Sequence, residues 1–495
     1  MFPCYILPHA YAAANHAADV TAPRPGLEQL PRRWTSRERA LPWLLLAIGP
    51  LVLVPLTLRP TWGIGVVGLV LLLTSASASI AYPLGLSGFA GPVTAVLGHD
   101  PFPARAVPLL VFAWILAALM LPLIRGGWDR GAARLVRSRP VLLSIALFAL
   151  MLLRLPASSD PAYGDFKLEL FVISNLVLRA AGIVLGTKPE RLELFLLLSL
   201  LIDAVSGLLV LRQFGSVAAS TARYGLEDQN VISLGIQGAQ GLMITTYLML
   251  KASRVWRQLL ALALMPIAIV ALLASGSRGP VLGGALGLLV LLVLLARSRT
   301  SALRVLGVVA VFVVAWVAVG TVVPGAAAQR AISVLTGSGS GVSSNGRDQL
   351  WVAAWDTMLR HPLLGAGTGS FAHEGRAEVC PGPGCLDRYP HNVVLETGAE
   401  LGIIGALITL AFLATSGGGI LLLWRRSDDD VRRSRAAIVF ALFVSAAITA
   451  LLTGDISGDG PLWLAAGLGI GLGYPALARA APQGSGRGAQ VRARS

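Results

Sequence analysis

The feature that most restricts this chain is the recurrence of apolar runs long enough to cross a bilayer. They fall near 41–58, 62–80, 106–124, 140–156, 168–186, 193–211, 230–250, 258–274, 280–296, 303–323, 397–423, 436–453 and 460–478. A helix of about 18 or more apolar residues spans a hydrocarbon core of roughly 30 Å. Alternation of apolar and polar residues is absent, which argues against a β-barrel. A soluble domain would carry about 25% charged residues; this one carries 13%, with a mean hydropathy of +0.72 over 495 residues. The expected fold is an all-α polytopic membrane protein of about 12–14 transmembrane helices, with one long extracytoplasmic loop containing a short amphipathic helix.

The net charge of +15 invites a nucleic-acid reading, but the distribution of the charge opposes it. Arg125, Arg130, Arg134, Arg137 and Arg139 crowd one short connection, and Lys251, Arg254 and Arg257 another. Arg297, Arg299 and Arg304 mark a third, Arg425, Arg426, Arg432, Arg433 and Arg435 a fourth, and Arg479, Arg487, Arg492 and Arg494 the tail. These are alternate connections, as the positive-inside rule expects of cytoplasmic loops. The partners expected are membrane lipids and no nucleic acid.

With those loops inside, segments 157–167, 212–229, 275–279, 324–392 and 454–459 face out. The expected organisation is a cytoplasmic tail over 1–40, amino-terminal spans over 41–323, the extracytoplasmic loop over 324–392, carboxy-terminal spans over 393–478 and a basic tail over 479–495. Cys380 and Cys385 enclose a Pro-Gly-Pro-Gly turn and suit a small disulfide loop in an oxidising compartment. A two-ligand metal site is the alternative. Counting 41–58 and 62–80 as two spans puts the start of 106–124 on the wrong side. Either 81–98 is a further span or re-entrant stretch, or one of the first two does not cross. No basic start precedes an apolar core in the first 20 residues, so no cleavable signal is expected.

The loop holds the most informative polar residues. A glycine- and serine-rich linker runs from Thr336 to Asn345. Asn345 is the expected cap of a helix in which Leu350, Trp351, Ala354, Trp355, Met358 and Leu359 form one apolar face, suited to the membrane interface. Pro362 ends that helix, and Gly365, Gly367 and Gly369 keep the next few residues from being helical. Tyr389-Pro390-His391-Asn392 then opens a helix carrying Glu396, Glu400 and a Gly398/Gly402 pair suited to close packing.

Taken in order, these pieces carry a resemblance. Gly346-Arg347 through Leu350-Trp351, Ala354-Trp355, His361-Pro362 through Phe371, and His391-Asn392 followed by Glu396, Leu401-Gly402 and Gly405 are similar to the signature of the O-antigen ligase/polymerase family. Ser277-Arg278-Gly279 resembles that family's Ser-Arg-Gly element, and Arg223-Tyr224-Gly225 through Asn230 its preceding segment. The resemblance covers about 223–425; the first 200 residues share only apolar helices. It implies a glycosyltransferase of the bacterial cytoplasmic membrane, acting in cell-surface polysaccharide assembly. Such an enzyme transfers a glycan from a polyprenyl pyrophosphate carrier to the hydroxyl of a glycan or glycolipid acceptor on the outer face.

That reaction needs guanidinium groups for the pyrophosphate and a base in histidine's range for the hydroxyl. Arg278, the one charge in its short turn, is the candidate pyrophosphate ligand, and an arginine merely contacting lipid phosphate is the alternative. His391 is the candidate base, or else a helix-entry residue beside the capping Asn392. Arg223, Arg347, Asn392 and Glu396 are candidate substrate-binding residues, with Glu396 also placed to orient His391. His361 and His373 lack matching context, Arg212 reads as an interfacial anchor, and Asp455 and Asp459 have no assigned role. Neither cofactor nor metal is expected. Two other readings stay open: a polyprenyl-linked glycosyltransferase using Asp160 and Asp165, and a transporter or flippase, for which Asp203 within 193–211 is the intramembrane charge.

Overall fold

The computed structural model describes residues 137–188, 191–214, 230–296, 298–320, 347–374 and 389–479, with isolated positions such as Ala81, Ile115, Leu119, Leu135, Tyr224 and Ala327. The segments expected at 41–58 and 62–80, nearly all of 106–124, Arg223, Asn345 and the Cys380/Cys385 pair lie outside the described residues.

Among the described residues the secondary structure is helical throughout. The long elements are α1 (Arg139–Arg154), α2 (Pro161–Leu170), α3 (Leu178–Gly186), α4 (Leu192–Gln213), α5 (Val231–Lys251) and α6 (Val255–Ala274). They continue with α7 (Arg278–Leu295), α8 (Arg299–Gly320), α9 (Arg347–Arg360), α10 (Val393–Arg426), α11 (Asp430–Thr453) and α12 (Gly460–Arg479). A π-helical stretch, Phe171–Val177, joins α2 to α3 without a break. Eight helical stretches among the described residues have the length and apolarity of membrane spans. The chain is an all-α polytopic membrane protein.

Small residues set the helix spacing, as they do where apolar burial cannot discriminate between lipid and protein. Gly279, Gly283 and Gly287 form a stripe on α7 that lies against α11. A Cβ at Gly283 would stand 2.6 Å from Thr449 Oγ1, and one at Gly287 would stand 2.8 Å from the Ala441 carbonyl. The end of α7 bearing Arg278 is thereby held beside the last turn of α11. Trp463 of α12 is fully buried, stacked on Phe412 of α10 at 4.2 Å and edge-on to Phe171 at 5.3 Å. By contrast α8 turns Leu303, Leu306, Val314 and Val317 outward, as suits a helix facing lipid.

The two ends of the bundle differ in chemistry. At one, Glu193 of α4 pairs with Arg257 at 2.6 Å and approaches Arg435 at 3.9 Å, gathering two of the basic connections. At the other lie Arg278, Arg347, His391 and the turn 454–459.

Three sequence expectations shift. Segment 157–167, expected as a loop, is mostly the first part of α2, because Asp160 caps that helix by accepting from the Tyr163 N–H at 3.2 Å. The apolar face of α9 is rotated: Leu350, Ala353, Ala354, Thr357 and Met358 are buried, whereas Trp355 and Leu359 are exposed. Gly398 receives the Met358 side chain, but Gly402 does not serve helix packing. It has φ +70°, ψ −168° and breaks α10.

That break is filled by the loop before it. The Pro362 carbonyl accepts from the Ile403 N–H at 2.9 Å, while the N–H groups of Ala366 and Gly367 donate to the Ala399 and Glu400 carbonyls, each at 2.9 Å. Backbone groups that the kink would leave unpaired in a buried place are thus satisfied by the inserted segment. Gly365, Gly367 and Gly369 all have positive φ, which glycine adopts without penalty. Arg154 Nη2 donates to the Gly365 carbonyl at 2.9 Å and Thr368 Oγ1 to the Met151 carbonyl at 2.6 Å, docking the loop on α1.

Candidate active site at the end of the α11 helix

Residues spread over more than a hundred positions meet at the carboxy-terminal turn of α11. The last carbonyls of a helix have no partner within it and carry the negative end of its dipole. Arg347 Nη1 donates to the Leu452 carbonyl at 3.0 Å, and His391 Nδ1 to the Thr453 carbonyl at 3.3 Å. Gly279, next to Arg278, packs on the Thr453 side chain, with a Cβ there reaching 3.0 Å from Oγ1. Arg278 opens α7 immediately after its N-cap, Ser277. One arginine, one imidazole and the positive end of a helix dipole are therefore brought to the same turn, with Arg278 at its edge.

His391 is held by several independent features. It is buried, and its φ of +58° is the one positive φ at a non-glycine residue among those described. Such a conformation persists only where surroundings impose it. Tyr389 lies edge-on to the ring at 4.5 Å. Asn392 caps α10 by accepting from the N–H groups of Val394 at 3.0 Å and Leu395 at 3.1 Å. Because a carbonyl only accepts, the contact to Thr453 puts the proton on Nδ1 and the basic lone pair on Nε2.

Beneath this turn is a buried ionic cluster that the sequence alone did not reveal. Lys167 of α2 lies between Glu396 and Glu400 of α10, bonded to Glu396 Oε1 and, at 2.8 and 2.7 Å, to both carboxylate oxygens of Glu400. All three are almost wholly buried. Glu396 Oε2 accepts from the Ile456 N–H at 2.9 Å, and Asn175 Nδ2 donates to the Ile456 carbonyl at 2.6 Å. Both backbone groups of Ile456 are thus clamped. Asp455 folds the same turn by accepting from Ser457 and Gly458 at 2.6 and 2.9 Å. Glu396 accordingly bonds Lys167 and the turn, and orients His391 only through the segment they share; its carboxylate is engaged within the protein. The pair Glu396/Glu400, one helical turn apart in an apolar segment, is the sequence signal that a buried cation must answer.

Other candidates separate from this site. Asp160 is engaged as a cap, Asp165 is exposed, and His361 pairs with Glu374 at 3.4 Å. Arg223 is outside the described residues, but Tyr224 donates its N–H to the Ala274 carbonyl at 2.8 Å and lies against Phe214 at 5.0 Å. That brings Tyr224 to the turn preceding Arg278. Asp459 borders the site from the start of α12. Burial pushes its carboxyl well above the usual carboxylate range, with the charges of Asp455 and Glu396 adding.

Fold and site together define a multi-pass membrane protein with an arginine–histidine constellation at one end of its bundle. Residues 260–410 match the family model Wzy_C, O-Antigen ligase. Over that stretch the chain is similar to the O-antigen ligase family. The match takes in Arg278, Arg347, His391, Glu396 and Glu400. A search of curated proteins finds no match.

Proposed function

We propose that the protein transfers a glycan from a polyprenyl pyrophosphate carrier to an acceptor hydroxyl at the outer face of the cytoplasmic membrane. The observation that carries this reading is the meeting of His391, Arg347 and the Ser277-Arg278-Gly279 turn at the end of α11. Arg278 stands at the amino end of α7, where open N–H groups and a permanent guanidinium both favour a phosphate. His391 Nε2 takes the acceptor hydroxyl's proton as its oxygen attacks the sugar's anomeric carbon. The anomeric carbon–oxygen bond to pyrophosphate breaks, and that group leaves with the bonding electrons. No general acid is needed for so good a leaving group. Arg347 and Asn392 hold the loop and helix entrance that shape the site, and Glu396 and Lys167 fix the turn below. The basic connections gathered at the opposite end support an outward-facing site by the positive-inside rule.

Purified full-length protein in lipid nanodiscs, given lipid-linked oligosaccharide and candidate acceptors, tests this. The expected result is a new glycosidic product that withstands added chelator and is lost in Arg278→Ala. Movement of the lipid-linked sugar across vesicles with no new bond would replace the reading with a transporter.

A further inference from the structure

Between α4, α5 and α12 lies a cavity of about 250 Å³ that the transfer chemistry leaves unused. Its polar lining consists of Ser199 and Asp203 of α4, Ser233, Gln237 and Gln240 of α5, and Asp459 at the entrance to α12. No lysine, arginine or histidine is among the described residues lining it. Ser233 and Gly458, both exposed, mark one end, and Asp203, in the middle of α4, lines it farther in.

Asp203 is the feature that needs an explanation. It is only 4% exposed, and its Oδ2 has no hydrogen-bond partner among the described residues. Gly241 of α5 faces it, and a Cβ there would stand 3.3 Å from that oxygen. That oxygen therefore lies against the bare backbone of Gly241, and Asp203 also lines the cavity. Ionisable groups within a membrane span are costly and mark ion or substrate sites. Asp459 Oδ2 is likewise buried without a partner among the described residues.

The donor set indicates the occupant. Every polar group offers oxygen, which suits hard cations and disfavours transition metals that prefer nitrogen or sulfur. Among the described residues, no group of three or more His, Cys, Asp or Glu is placed to hold a metal ion. Asp203 and Asp459 are the two carboxyls of the lining; an ion that takes the place of the Asp203 proton is balanced by that one carboxylate, with the neighbouring oxygens completing its shell, which fits a single positive charge. The volume leaves room for retained waters. We propose that this cavity binds a monovalent alkali cation, coordinated by Asp203 and the neighbouring amide, hydroxyl and carboxyl oxygens. The ion would tie α4 and α5 to the turn 454–459 that clamps Glu396, and it does so whatever glycan the protein handles.

The test is the thermal midpoint of full-length protein in detergent micelles, titrated with sodium, potassium or choline chloride at constant ionic strength. A ligand that binds only the folded state raises the midpoint with its concentration. The expected result is a rise with sodium or potassium but not choline. It is abolished in Asp203→Asn and weakened in Gln240→Met, a milder change should the first variant fold poorly. Binding of radioactive sodium, displaced by unlabelled sodium and not by choline, is expected in parallel. Equal midpoints in sodium, potassium and choline would overturn the proposal. So would a dependence unaltered in both variants, or a rise with neutral hexoses and none with the alkali ions.

Discussion

Lys167 and Glu396 bond to one another across 229 positions of sequence, at the base of the turn that carries Thr453 to Asp459. Removing one partner of a buried ionic cluster leaves a charge with no water and no counter-ion. Such losses cost about 3–5 kcal/mol, whereas keeping the charge preserves most of the pairing. Lys167→Met should therefore lower unfolding stability by about that amount, read by thermal unfolding in micelles, while Lys167→Arg should lose less. A Lys167→Met variant as stable as wild type would remove the cluster from any structural role.

Gly279 is where α7 and α11 come closest near the site, with Thr453 occupying the place a side chain would need. Gly279→Val should push the Arg278 end of α7 away from the last turn of α11. Overpacking of this kind costs roughly 1–3 kcal/mol. Transfer should fall far more than stability, measured as turnover against thermal midpoint in the same preparation.

His391 combines a proposed chemical role with a backbone conformation that glycine tolerates better. His391→Gly and His391→Ala should both lose transfer, by about 10²–10⁴-fold for a general base. Their stabilities should differ in the opposite sense to side-chain size, with the glycine variant about 1 kcal/mol more stable than the alanine one. Equal activity of wild type and either variant would count against the imidazole as base.

Asp459 predicts a pH dependence. Its folded carboxyl binds a proton more tightly than the value of 3.8 expected when unfolded. The stability this contributes is present below about pH 4 and is lost as pH rises from there toward the folded value. Asp459→Asn, which cannot ionise, should flatten that decline in thermal midpoint, measured at fixed salt.

The helices are legible in the sequence because apolar length alone decides them in a membrane; the expected spans among the described residues fall on helices, and eight helical stretches there have the length and apolarity to cross. The candidate base and arginines are legible because their neighbours form a recognisable order along the chain. Lys167 is not: it sits in a stretch with the composition of an outer loop, and only the distant Glu396 and Glu400 give it a purpose. The face of α9 is mis-phased when tryptophan is counted as core, because an amphipathic ring is also at home at a membrane surface. Gly402 has the spacing of a packing glycine, and nothing local reveals that another segment enters its helix. In each case the missing information is a contact made far away in sequence.

The central claim is that His391 and Arg278 act on one transfer event. A double-mutant cycle on initial rates, using wild type, His391→Ala, Arg278→Ala and the double variant with one donor and acceptor, addresses it directly. Groups that act as a unit are strongly non-additive, so the double variant is expected to be scarcely slower than the slower single one. Losses that multiply fully, or a single variant that retains wild-type rate, would contradict it.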